Sequence, residues 1–115
     1  MAANDQDIMD FERTRGNLLN ISAQKQQLQI QSNALEEALK ELGKTPEKKV
    51  YKAVGNVLIM SNVDDVKKEL QEQKESADLK VKTLQKQEDS TVEKLNKLKH
   101  RIESSVKGEE NEEQE

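Results

Sequence analysis

The sequence predicts a mainly α protein, an antiparallel two-helix coiled coil folded back on itself, with one β-hairpin joining the arms at the closed end. Three observations predict it. Two long tracts hold an unbroken heptad register. Between them lies the one extended apolar run of the chain, Val50 to Met60, with Gly55-Asn56 inside it and Lys52 the exception to its apolar pattern. The composition, 37% charged and 2% aromatic, supplies too few bulky apolar groups for an ordinary globular core but suits helices that bury a narrow seam.

The first arm is expected over residues 7–42. Phe11, Leu18, Lys25, Ser32 and Leu39 fall at heptad position a, and Thr14, Ile21, Leu28, Leu35 and Leu42 at d. A seven-residue repeat of this kind marks a coiled coil rather than a globular surface helix. Lys25 and Ser32 occupy seam positions where Leu or Ile would be more stabilising. Polar seam residues fix register or partner choice, or they are a tolerated weak layer, and the pattern leaves both open. Gly43 directly follows Leu42 and reads as a left-handed glycine ending the helix. A linker over 43–49 follows, in which Pro46 suits the first position of a single helical turn.

The hairpin is expected over residues 50–60. Gly55 at the first central position allows the positive φ of a type II′ turn. Centred there, the turn pairs Val54 with Val57, Ala53 with Leu58, Lys52 with Ile59 and Tyr51 with Met60. Alternation puts Val54, Val57 and Ile59 on one face and Tyr51, Ala53, Leu58 and Met60 on the other. The arms can cover one face at most. Leaving about four apolar side chains wet forfeits roughly 6–12 kcal/mol at ~1.5–3 each, comparable with the whole stability of a small domain. The hairpin therefore reads as an assembly element, buried by other chains.

The second arm is expected over residues 62–107. Ser61 or Asn62 can cap it, and Asp64 and Asp65 stand in its first turn, where carboxylates are favoured. Leu70, Ala77, Leu84, Thr91, Leu98 and Ser105 are d-type, and Lys74, Val81, Glu88, Leu95 and Ile102 are a-type. Residues 108–115, acidic and without an apolar side chain, read as a disordered tail.

The net charge of −4 argues against nucleic acid as the main ligand. No apolar run is long enough to span a bilayer, and the N-terminus has no signal-peptide core, so a cytoplasmic location is expected. Without cysteine, thiolate chemistry is excluded. His100, the one histidine, lies beside Lys99 and Arg101 and has no second ligand for a zinc site. Carboxylates at helical spacing, Glu93 with Lys97, Glu69 with Gln73 and Glu37 with Glu41, read as solvated helix faces with weak pairing. No glycine loop cradles a phosphate. No enzyme activity and no cofactor are expected, and any work on a partner is driven by binding alone. At the open end of the folded-back coil, Ile8, Met9 and Phe11 meet Leu98, Ile102 and Val106. They either zip the coil shut or, where the ends fray, expose an adaptable apolar surface.

The run Val50-Tyr51-Lys52-Ala53-Val54-Gly55-Asn56-Val57-Leu58-Ile59 resembles the Tyr-Lys-x-Val-Gly-x-x-Leu-Ile/Val hairpin of beta-type prefoldin subunits. The flanking arms and Leu84-Gln85-Lys86-Gln87-Glu88 are similar too, and one hairpin rather than two fits the beta type. The resemblance leaves an archaeal beta subunit and a eukaryotic beta-type paralogue both open, and the compact chain with short tails leans toward the archaeal form. The resemblance implies a hexamer of two alpha and four beta subunits whose hairpins join in intersubunit β-barrels. It further implies that coiled-coil tips hold unfolded proteins without ATP and pass them to a group II chaperonin. On this chain Val50, Tyr51, Ala53, Val54, Gly55, Val57, Leu58, Ile59 and Met60 would form the assembly joint. Ile8, Met9, Phe11, Leu98, Ile102 and Val106 would form the client-binding tip. The competing expectation is a structural coiled-coil adaptor that tethers specific folded partners.

Overall fold

The computed structural model describes residues 5–106, with α2 assigned onward to Gln114. The elements run α1 (Asp5–Lys44), β1 (Lys49–Val54), β2 (Val57–Asn62) and α2 (Val63–Gln114). Residues 108–115, expected as a disordered tail, lie outside the described residues.

The heptad positions account for the helices. Every a and d position assigned above, from Phe11 to Leu42 and from Leu70 to Ser105, is buried or half-buried, while most of the intervening residues are exposed. The seam is thin. Among the described residues only Val63, Ala77 and Leu98 are buried hydrophobics, joined by the polar Thr14 and Ser32, and no large side chain is fully enclosed. Asp5 and Asp7 in the first turn of α1, and Asp64 and Asp65 in that of α2, complement the positive helix ends.

The chain divides into two compact units. One holds residues up to Lys25 and from Thr83 onward; the other holds Gln26–Lys82. In the first, α1 and α2 run antiparallel: Asp7 meets Arg101 at 3.2 Å, whereas Ser22 and Lys25 meet Glu88, each at 2.7 Å. The second contains the hairpin, together with a cross-helix bond from the Ser32 hydroxyl to the Asp78 carboxylate.

Gly43 does not end α1. The helix continues to Lys44, and Gly55 is the one described glycine with a positive φ. Pro46 sets the stop instead, because its ring disfavours helical geometry at Thr45. The connection is short and contains no helical turn. Thr45 Oγ1 accepts the Glu47 backbone N–H at 3.2 Å and so shapes it as a hydroxyl-closed turn. At its far end the Val63 N–H donates to the Lys48 carbonyl at 2.9 Å, tying the start of α2 to the foot of β1. Asn62 directly precedes α2, and its Nδ2 donates to the Asp65 carboxylate at 3.3 Å.

Candidate functional site

The hairpin pairs in the register read from the sequence: Val54 with Val57, Ala53 with Leu58, Lys52 with Ile59 and Tyr51 with Met60, extended by Val50–Ser61 and Lys49–Asn62. Gly55 has φ +59° and Asn56 is not in the left-handed region, as a type II′ turn requires. The two faces differ. Val50, Lys52 and Ser61, on the face that carries Val54, Val57 and Ile59, are half-buried. Lys52 Nζ reaches both carboxylate oxygens of Glu69 at 2.6 Å, bracing that face on α2. The cation that interrupted the apolar pattern is thus a strut. Because both partners are more than a third exposed, its contribution stays within the ~0–1 kcal/mol of a surface pair.

Among the described residues nothing covers the opposite face. Tyr51 and Leu58 are each 66% exposed, and Ala53 and Met60 are exposed beside them. On the braced face too, Val54, Val57 and Ile59 remain about half exposed. Among the described residues the two strands pair only with each other, so each also offers a free backbone edge. A hairpin with two apolar faces and two open edges can add strands from another chain and bury its side chains in the same step.

The proposed tip residues separate by environment. Ile8, Met9 and Val106 are exposed; Phe11 and Ile102 are half-buried along the seam; Leu98, 3% exposed, lies within it. The Asp7–Arg101 ion pair holds the first turn of α1 against α2 beside them. Three side chains are therefore available on the surface as the helices stand, and Leu98 becomes available only where they part.

Sequence reasoning missed the partners of the polar seam residues. Lys25 Nζ contacts Glu88 Oε1 at 2.7 Å and Gln85 Oε1 at 2.9 Å, while Glu88 also accepts from the Ser22 hydroxyl at 2.7 Å and from Gln85 Nε2 at 3.3 Å. The Lys25 bond, and then that from Ser22, hold the Glu88 carboxyl below its ordinary pKa. Asp78 is lowered in the same way by Lys74, 2.8 Å away, and by Ser32; the Asp78 bond in turn raises Lys74. Opposite charges at seam positions on both arms were the signal in the sequence. Of the expected surface carboxylate pairings, Glu93 meets Lys97 at 3.5 Å, whereas Glu37 turns to Lys40 and Glu69 to Lys52.

His100 is exposed on α2. Among the described residues no three His, Cys, Asp or Glu side chains gather to hold a metal ion, and no helix is long and apolar enough to cross a membrane. The groove beside the hairpin, about 380 Å³, is open and mostly polar, with Lys52, Ser61, Asp65 and Glu69 among its walls.

Residues 5–109 match the family model described as prefoldin subunit. The chain is 38% identical over 103 residues to a prefoldin subunit beta of Pyrobaculum islandicum, covering 88% of this chain and 82% of that one. It is 44% identical over 80 residues to a prefoldin subunit beta of Archaeoglobus fulgidus, covering 56% of this chain and 69% of that one. The crystal structure of the prefoldin beta subunit from Thermococcus strain KS-1 superposes with a TM-score of 0.80 at 28% identity, over 90% of this chain and 94% of that one. The matched span takes in both helices and the single hairpin between them, and the chain belongs to the prefoldin family as a beta-type subunit.

Proposed function

We propose that this chain is a subunit of an ATP-independent holdase, assembling through its hairpin and capturing unfolded proteins at its helix ends. The observation that carries this reading is the hairpin that stays largely apolar and exposed on both faces, while among the described residues only Val63, Ala77 and Leu98 are buried hydrophobics. Each such side chain gains roughly 1.5–3 kcal/mol on full burial, about half of which remains unrealised at these exposures. Strands from alpha-type and further beta-type subunits would complete a barrel around it, in a hexamer of two alpha and four beta chains. Ile8, Met9 and Val106 supply an adaptable apolar surface for clients, with Phe11 and Ile102 at its margin and Leu98 joining when the ends part. The captured chain would pass to a group II chaperonin in the cytoplasm.

The test is assembly followed by function. Mixed with an alpha-type subunit, the chain should reach the native mass of a hexamer and suppress aggregation of several denatured clients without nucleotide. A hexamer that leaves aggregation unchanged refutes the holdase reading. A complex that binds one folded partner and ignores unfolded chains establishes the coiled-coil adaptor instead.

A further inference from the structure

We infer that the Lys25–Glu88 rung, with Ser22 and Gln85, is a register lock: it selects one alignment of α1 against α2 and thereby fixes which side chains stand together at the helix ends. Lys25 and Glu88 both occupy a positions, on opposite helices, and meet across the seam at 2.7 Å. Their side chains are 26% and 18% exposed, so each has given up most of its water and depends on the other. Ser22 and Gln85 complete the set: Glu88 accepts three bonds and Lys25 donates two.

The apolar rungs discriminate poorly between alignments, because a slip of seven residues sets one apolar a or d residue against another. The charged rung does discriminate. Slipped one heptad in one direction, Lys25 would face Val81 and Glu88 would face Leu18; slipped in the other, Lys25 would face Leu95. Either slip strands a charge among apolar side chains. A polar residue at an a position that fixes register at a cost in stability is a known use of such groups. The second polar cluster lacks this property. There Lys74 and Asp78 belong to the same helix and satisfy each other at i,i+4, so only the Ser32 hydroxyl crosses the seam.

The chain has no cysteine, so a spin-label pair can be introduced cleanly at the exposed positions 17 and 96 (Asn17→Cys and Asn96→Cys) of the full chain. A one-heptad slip changes their separation by about 10 Å along the helix axis, at 1.5 Å per residue. The parent should give one distance population. Lys25→Leu with Glu88→Leu should keep the thermal midpoint at or above the parent value yet show a second, shifted population. Lys25→Glu with Glu88→Lys should return to one population, because Ser22 and Gln85 each donate and accept and so serve either orientation. Lys25→Glu alone should lower the midpoint by roughly 5 °C or more. A Leu–Leu variant with a single unshifted population overturns the inference, as does a charge-swapped variant that populates two.

Discussion

At Gly55 the backbone, and not packing, excludes other residues. Its φ is +59°, and a Cβ built there meets nothing within 4 Å. Gly55→Val should therefore cost about 1–2 kcal/mol through the left-handed conformation alone, read as a lowered midpoint of assembly with an alpha-type subunit. Glu88 and Asp78 carry the acid response. Both carboxyls titrate below their ordinary values in the folded chain, so the stability they contribute is complete above the unfolded pKa and is lost as pH falls through the folded one. The thermal midpoint should hold from pH 7 down to about 5 and fall below about 4. Glu88→Gln should give a shallower acid limb. The rung also marks where the sequence stops being legible. A heptad names Lys25 and Glu88 as seam residues, but periodicity alone does not say which a position on one arm faces which on the other. Gly43 was misread for a related reason: a glycine after the last periodic leucine suits a left-handed cap, and only Pro46, three residues on, shows where the helix must stop.

At the scale of the element, the hairpin was legible almost completely. Its register follows from one local fact, a glycine at the first turn position, and the alternation of side chains follows from the register. What the pattern could not show was which face the chain keeps for itself. The Lys52–Glu69 strut and the half-buried Val50 and Ser61 mark that face, and the strut depends on a contact between residues 17 apart in sequence. The uncovered face makes a sharp prediction. Leu58 is largely exposed in the chain alone, so Leu58→Asp should change its own stability by no more than about 0.5 kcal/mol. The same carboxylate carried into a completed barrel would be buried without a partner. Size exclusion after mixing with an alpha-type subunit should show assembly lost while the helical circular dichroism of the chain persists. A hexamer that survives the substitution removes the hairpin from the joint.

Across the whole molecule, the proposed assembly and capture surfaces use different residues and should separate experimentally. Deletion of residues 1–11 removes Ile8, Met9 and Phe11, together with the Asp7 end of the ion pair to Arg101. The truncated chain should still form the hexamer and should suppress client aggregation less well at equal concentration. Unchanged suppression would move the client surface away from this segment. The tip was only partly legible beforehand. Apolar residues near helix ends can be listed from a sequence, but whether they face water or the seam depends on the rotation of each helix, which the thin core leaves to rungs such as Lys25–Glu88.

The bond from the Val63 N–H to the Lys48 carbonyl has a mechanical consequence. β2 ends at Asn62 and α2 begins at Val63, with no residue between them. The Val63 bond clamps that junction to the foot of β1, and the Lys52–Glu69 strut clamps it again two turns along. Torque applied to the hairpin would therefore be delivered to the opening turns of α2. α1 enters through the four residues from Thr45 to Lys48 and is coupled more loosely. The two helices are unequal levers on the hairpin, α2 joined to it directly and α1 through a four-residue turn.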